Sequence, residues 1–454
     1  MKQRRILSSL LAISMAMGMC GTMLPLTVCA AAVPASPLIN RNGSVYSDSQ
    51  GTAYAACNEI YYDAWYGTAP GYLAFDLSAV PKAQRGLVNL VWYATAWNSY
   101  DYTVKNENGQ AAPAAYTISV NAAEGGAYPE DGWVDVVSIR ENPYHSRQHV
   151  FDMTGYQWVR ISIEEAQSGN TVSLNVDLHD CSAGVDSWIF YGDSITAGGM
   201  TTFSTGDGNF ADLLHKRLPD YYPAQENGGI GGIFSTDGKN NMERWLADFP
   251  GSYVSIAYGT NDCWGDQTGA ERYYDNLVSM TETILAAGKT PVVPKIPYST
   301  EPGITANIEA YNAQIDRLYE AYPAVIAGPD FYSYLKAHPE YLGGDGVHLN
   351  TEGYNAMRIL WAETMAEAIY EREDHPPTDP PVTEPMAGDV NEDGMLSMAD
   401  VIALGKYLLG DTQQRYPNWR ITADLDGSGI LNGNDASLVI RQILLITPMP
   451  LAQS

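Results

Sequence analysis

Four short blocks of this sequence hold side chains that could carry out acyl transfer together. Gly192-Asp193-Ser194-Ile195-Thr196 offers a serine, and Gly344-Asp345-Gly346-Val347-His348-Leu349-Asn350 offers a histidine with an acid three residues before it. A serine hydroxyl is a weak nucleophile until a neighbouring base takes its proton, and that base is usually held in one tautomer by an acid. Ser194, His348 and Asp345 are therefore the candidate nucleophile, base and orienting acid. Attack creates a tetrahedral oxyanion, which needs hydrogen-bond donors aimed at it. Asn261, in Gly259-Thr260-Asn261-Asp262, can supply a side-chain amide. Gly232, in Asn227-Gly228-Gly229-Ile230-Gly231-Gly232, can supply a backbone N–H where a side chain would block approach, and the N–H of Ser194 is the third donor. The glycine block is crowded, so Gly229 and Gly231 stand as alternatives to Gly232.

A second chemistry lies near the C-terminus. Oxygen ligands at loop positions 1, 3, 5, 9 and 12, a main-chain carbonyl at 7 and a glycine at 6 describe a calcium loop. Asp389, Asn391, Asp393, Gly394, Met395, Ser397 and Asp400 fit it once; Asp424, Asp426, Ser428, Gly429, Ile430, Asn432 and Asp435 fit it again, 35 residues on. Two copies in register are a repeat rather than an accident of acidic composition. Position 12 is Asp in both where an EF-hand has Glu. One apolar-periodic helix follows each loop, over 401–409 and 436–444. Two calcium ions are expected here and no cofactor for catalysis, since 186–372 has no His/Cys cluster at zinc spacing.

These groups need elements to hold them. Short apolar runs at 188–191, 253–258 and 291–296 alternate with helical patterns at 271–287, 304–322 and 352–370, which predicts a parallel α/β sheet. Ser194 then stands at the carboxyl end of the first strand, where open α/β sheets place ligands. Upstream, alternating runs at 73–75, 86–93, 115–120, 133–139 and 158–163, with turn residues between them, predict an all-β sandwich over 37–182. Its aromatic residues cluster as Tyr61, Tyr62, Trp65 and Tyr66, and as Trp92, Tyr93, Trp97, Tyr100 and Tyr102. They either fill the core or, where exposed, form a sugar-binding face. A Pro/Thr stretch over 373–385 reads as an extended linker.

The ends and the composition bound the setting. Lys2, Arg4 and Arg5, an apolar core over 6–19 and the small residues Ala30, Ala31 and Ala32 read as a secretory signal peptide over 1–31. The 454-residue chain has a net charge of −28, and removing those three cations takes it to −31. That balance argues against nucleic acid or membrane as partners, because both call for clustered Lys and Arg. Cys57, Cys181 and Cys263 remain after cleavage and allow at most one bridge, with Cys57 and Cys181 as a possible pair.

The Gly192-Asp193-Ser194, Gly232, Gly259 to Asp262 and Asp345 to His348 blocks, in this order, resemble the SGNH (GDSL) hydrolase superfamily over about 186–372. No Gly-x-Ser-x-Gly elbow is present, so the α/β-hydrolase fold is not indicated. The duplicated loop-plus-helix segment over 386–450 resembles a type I dockerin, the module that plugs cellulosomal enzymes into a scaffoldin cohesin. The two resemblances imply a multidomain chain. It would comprise a jelly-roll or galactose-binding-like sandwich, a flavodoxin-like α/β hydrolase and a small α calcium-binding dockerin. The implied function is that of a secreted, extracellular, cellulosome-associated serine esterase acting on acetylated plant cell-wall polysaccharide. Acetylxylan is the first choice of substrate. Pectin or mannan acetyl esterase, a lipase, and a non-catalytic carbohydrate-binding component are the alternatives.

Overall fold

The computed structural model describes residues 38–94 apart from 42, 50–51, 59 and 62, then 111–202 and 206–371. In the C-terminal part it describes 387–388, 390, 398–408, 422–425 and 431–443. The segments read as signal peptide and linker lie outside the described residues.

The first strands are β1 (Ser44–Ser47), β2 (Trp65–Thr68), β3 (Gly71–Asp76), β4 (Leu87–Ala94), β5 (Pro113–Asn121), β6 (Val134–Ile139), β7 (Ser146–Asp152), β8 (Trp158–Ala166) and β9 (Thr171–Asp180). They form two antiparallel sheets, in the orders β1-β3-β8-β5-β6 and β2-β9-β4-β7. Period-two alternation makes these sheets face each other. Leu73 and Phe75 of β3 lie opposite Ile161 and Val159 of β8, which lie opposite Ile118 and Val120 of β5. All six are essentially fully buried in one apolar cluster. Of the described members of the two aromatic groups, Trp65 and Trp92 serve this core, Tyr61 and Tyr93 are buried in a separate cluster with Val91 and Ala224, and Tyr66 is 58% exposed. Tyr62, Trp97, Tyr100 and Tyr102 lie outside the described residues. No disulfide joins Cys57 and Cys181, which are both buried.

The second body is a parallel sheet of β10 (Ser187–Gly192), β11 (Ala224–Gly229), β12 (Tyr253–Ala257), β13 (Thr290–Val293) and β14 (Ile326–Ala327), in the order β11-β10-β12-β13-β14. The reversal of order beside β10 is a topological switch point, where such sheets open a crevice for ligand. Helices cover both faces: α1 (Ser194–Gly199), α2 (Phe210–Arg217), α3 (Ser235–Leu246), α4 (Thr260–Cys263), α5 (Ala270–Ala286), α6 (Pro302–Thr305), α7 (Ile308–Ala321), α8 (Phe331–Ala337) and α9 (Thr351–Met365). Strand β10 is apolar over 188–191 because it feeds two cores. Ile189 and Tyr191 pack with Met242, Leu277 and Ile315 on one face, while Trp188 and Phe190 pack with Phe210, Trp361 and Met365 on the other.

Three predicted elements differ in extent. The run expected over 291–296 stops at Val293 because Pro294 has no N–H to give the ladder. The helix expected over 304–322 is broken at Asn307, whose side chain turns back to donate to the carbonyls of Cys263 and Gly303. The last helix becomes a π-turn over Ala366–Tyr370. Strand β11 escapes apolar pattern reading altogether. Its sequence is Ala-Gln-Glu-Asn-Gly-Gly, yet it is buried throughout, and its polar side chains bond inward, Gln225 accepting from the Ala211 N–H and Asn227 donating to the Ala197 carbonyl.

In the C-terminal part, helices Met398–Leu408 and Gly433–Ile443 pack through a small apolar cluster of Val390, Leu404, Ala423 and Val439. Each expected helix is present and starts about three residues earlier, so that Asp400 and Asp435 fall in the first turn.

Candidate active site and calcium loops

Ser194 begins α1 directly after β10. The preceding Asp193 caps that helix, its Oδ1 accepting from the Ile195 N–H at 2.9 Å, and burial raises its carboxyl to about 6. Only glycine fits at Gly192, where a Cβ would come within 2.1 Å of Thr196 Oγ1 and 2.7 Å of the Ala257 carbonyl. The tight turn that follows presents the serine at the sheet edge.

The histidine arrives from the loop before α9, 154 residues away. Ser194 Oγ lies 2.8 Å from His348 Nε2, and His348 Nδ1 lies 2.6 Å from Asp345 Oδ2. With the Nδ1 proton given to Asp345, Nε2 is left to accept from the serine. Asp345 is itself anchored: Oδ1 accepts from the Val347 and His348 N–H groups, both at 3.0 Å. The His348 hydrogen bond, followed by the Val347 N–H, holds its carboxyl down at about 2. The turn is clamped from the side, where Ser299 Oγ and Thr300 N both donate to the Gly346 carbonyl.

The candidate oxyanion donors come from the two neighbouring strand ends. Asn261 lies in α4 after β12, and its Nδ2 donates to the Ile233 carbonyl at 2.9 Å, which leaves the second amide hydrogen to point elsewhere. That bond ties the asparagine turn to the glycine turn after β11. Within the glycine block, the Gly229 N–H is spent on Asn227 Oδ1, while Gly232 follows in an exposed turn with φ +77°. The same turn docks on β10 through the Ile230 N–H and the Gly192 carbonyl. Ser194 N is the first N–H of α1, a position with no acceptor inside the helix.

Sequence reasoning passed over Asp262, and the structure makes it the anchor of the asparagine turn. It is fully buried and accepts from Ser235 N, Ser235 Oγ and Thr268 Oγ1. Burial pushes its carboxyl up, and those bonds draw it back. Its adjacency to Asn261 was legible, but its partners lie up to 27 residues away.

Of the calcium-loop residues, Asp400, Asp424, Asn432 and Asp435 are described. Asp389, Asn391, Asp393, Met395, Ser397, Asp426, Ser428 and Ile430 lie outside the described residues. The two position-12 carboxylates are placed alike: Asp400 Oδ1 accepts from the Val390 N–H at 2.9 Å, and Asp435 Oδ1 from the Leu425 N–H at 3.1 Å, each bond again 35 residues apart. Both are fully buried at the start of a helix. Carboxylates packed this way suit a hard cation, which takes oxygen ligands.

A serine, a histidine and an acid thus converge on the carboxyl edge of a parallel sheet, in the order of contacts that acyl transfer uses. Residues 190–356 match the GDSL-like Lipase/Acylhydrolase family and residues 387–444 match the Dockerin type I domain, so the chain carries both modules. Similar solved structures include a catalytic mutant of Axe2, an acetylxylan esterase from Geobacillus stearothermophilus (20% identity, 41% of this chain and 95% of that one, TM-score 0.34). A carbohydrate esterase family 3 protein from Talaromyces cellulolyticus is also similar (20% identity, 41% and 99%, TM-score 0.33). A Bacillus subtilis protein aligns over more of the chain (15% identity, 73% and 90%, TM-score 0.39). No curated protein matches the chain.

Proposed function

We propose that this protein is a cellulosomal serine esterase that removes acetyl groups from plant cell-wall polysaccharide, with acetylated xylan as its first substrate. The observation that carries the reading is the Ser194–His348–Asp345 relay, at 2.8 and 2.6 Å, in a chain that also bears a dockerin. Ser194 attacks the ester carbonyl while His348 takes its proton. The oxyanion is held by the Asn261 amide and the N–H groups of Gly232 and Ser194. His348 then returns the proton to the departing sugar hydroxyl, leaving an acetyl-enzyme. Water, deprotonated by the same imidazole, releases acetate. Asp345 keeps the imidazole in its working tautomer and stabilises its charged form.

The arrangement proposed for the chain is a signal peptide over 1–31, a jelly-roll or galactose-binding-like sandwich over 37–182, the hydrolase over 186–372, a linker over 373–385 and the dockerin over 386–450. The dockerin binds two calcium ions and a scaffoldin cohesin, which places the secreted enzyme among other wall-degrading enzymes. Among the described residues no helix is long and apolar enough to cross a membrane. Acetate release from a panel of acetylated xylan, mannan and pectin tests the substrate, and Ser194→Ala tests the chemistry. The variant is expected to fold normally and lose at least about 10³-fold in kcat. Near wild-type turnover would remove Ser194 from its role.

A further inference from the structure

An exposed tryptophan follows the asparagine turn. Trp264 is 37% exposed, whereas Trp65, Trp92, Trp158, Trp188, Trp245 and Trp361 are fully buried. It comes three residues after Asn261, at the end of α4, and one edge of its indole lies against α6, where a Cβ at Gly303 would fall 2.9 Å from its Cδ1 and 3.1 Å from its Nε1. Helix α6 directly follows Ser299 and Thr300, which clamp the Asp345–His348 turn. The indole thus joins the turn that carries the oxyanion amide to the segment that supports the triad acid and base.

The backbone around it is held against its own preference. Gly265 and Asp266 follow with φ of +64° and +55°, and Asp266 is the one non-glycine residue with positive φ among those described. Such a conformation persists where the surroundings over-determine it, and it concentrates at ligand sites. Here the Tyr311 hydroxyl sits 2.8 Å from Asp266 Oδ1 and accepts from the Gly269 N–H at 2.7 Å. The turn that leaves Trp264 in water is therefore built, not slack.

Charge around the indole is one-sided. The segments framing the site, 192–201, 228–236, 259–269, 299–307 and 343–350, contain five acids and no Lys or Arg; Asp193 and Asp262 are buried, and Asp266, Glu301 and Asp345 reach the surface. Glu301 is the nearest to the ring, its Oε2 and the indole edge both meeting the space beside Gly303. A flat apolar ring rimmed by acceptors matches a pyranose, whose C–H face stacks and whose hydroxyls donate. It does not match a fatty-acyl chain, which needs a continuous apolar channel. Nor does it match a polyuronide, whose carboxylates would meet like charge.

We infer that Trp264 forms the subsite for a neutral pyranose ring bearing the scissile acetyl group, so that the enzyme prefers neutral acetylated sugars to acetylated uronides. This rests on the serine-esterase reading above. The test compares the full-length protein with Trp264→Ala and Trp264→Phe on three substrates: 4-nitrophenyl acetate, an acetylated xylo-oligosaccharide and an acetylated oligogalacturonide. Wild-type kcat/KM is expected to be at least roughly tenfold higher on the neutral oligosaccharide than on the uronide. Trp264→Ala is expected to raise KM for the neutral oligosaccharide, with a loss of kcat/KM roughly tenfold larger than its loss on 4-nitrophenyl acetate. Trp264→Phe should recover most of that difference. Equal losses on the two neutral esters would make Trp264 a packing residue and overturn the inference, as would a uronide cleaved as well as the xylo-oligosaccharide. Turnover of 4-nitrophenyl acetate with no cleavage of any sugar ester would overturn it while leaving the serine esterase standing. A protein inert on all three would overturn both.

Discussion

At the scale of single residues, the site divides its work between groups that titrate and groups that do not. Asn261 is neutral, already bonded on one side to the Ile233 carbonyl, and has one amide hydrogen to offer. An interaction realised only when the oxyanion forms lowers the barrier without tightening the ground state. Asn261→Ala is therefore expected to reduce kcat by about 10²–10³ with KM little changed, measured by steady-state kinetics on a soluble acetyl ester. A change confined to KM would make the residue a substrate contact instead. Asp345 gives a pH prediction. Its hydrogen bond from His348 holds its carboxyl at about 2, against 3.8 for an unperturbed aspartate. The carboxylate thus stays ionised down to about pH 3. The acid limb of kcat/KM should contain no inflection above about pH 3 that is lost in Asp345→Asn. An inflection there that disappears in the variant would contradict the assignment.

Elements decide where those residues stand. Strands β10, β11 and β12 end side by side, and each delivers one part of the site within a few residues of its last hydrogen bond: Ser194, the glycine turn and Asn261. Strands β10 and β11 both end in glycine, which lets them come close to α1 and β12. At Gly229 a Cβ would lie 2.2 Å from the Ala197 N–H nitrogen of α1. The C-terminal loop-and-helix units follow a similar logic, since each helix begins with the acid that closes its loop. The calcium-loop reading gathers Asp389, Asp393 and Asp400, or Asp424, Asp426 and Asp435, on one cation, and like charges gathered without it would repel, so binding and helix docking are expected to be coupled. Calorimetric titration of the calcium-stripped full-length protein should show two sites. Asp389→Ala should abolish one site, and titration of a single site in the wild type would refute the duplicated reading. In the proposed relay every proton passes through His348, with Asp345 only orienting it. Acetate release from a small ester should accordingly survive chelation.

For the molecule as a whole, the sandwich and the hydrolase meet across a polar seam. Asp248 of the hydrolase accepts from the Tyr144 hydroxyl at 2.7 Å and from Arg147 at 2.6 Å, and the Tyr61 and Tyr222 hydroxyls meet at 3.0 Å. Glu226 of β11 lies on this seam, fully enclosed, with one carboxyl oxygen lacking a partner in the structure. Burial raises it from 4.5 to about 8, only partly opposed by Arg147 and Gln148. In the window between those values the folded chain holds a proton that the unfolded chain has released. The stability it contributes is therefore complete below about pH 4.5 and is lost as pH rises through about 8. Thermal midpoints should fall across that window in the wild type, and Glu226→Gln should flatten the fall. Parallel slopes for the two proteins would show that Glu226 ionises without cost.

The sequence by itself determined the candidate residues and the repeat. Ser194, Asn261, Asp345 and His348 were legible as candidates because acyl transfer calls for those residue types, and strand-to-helix punctuation put Ser194 and Asn261 just after apolar runs. The repeat was legible because the same residue types recur at the same positions 35 residues on. Strands such as β3, β5 and β8 announced themselves by alternation against a single core. Only tertiary structure decided the rest. Strand β11 was invisible because it buries polar side chains, and those of Gln225 and Asn227 find partners up to 30 residues distant, which no local pattern records. Asp262 and Asn307 likewise reveal their work only through bonds to Ser235, Cys263 and other groups far along the chain. Trp264 shows why the limit is physical. An indole is as apolar in a core as at a site mouth, and which of the two it occupies is set by residues that meet it only after folding.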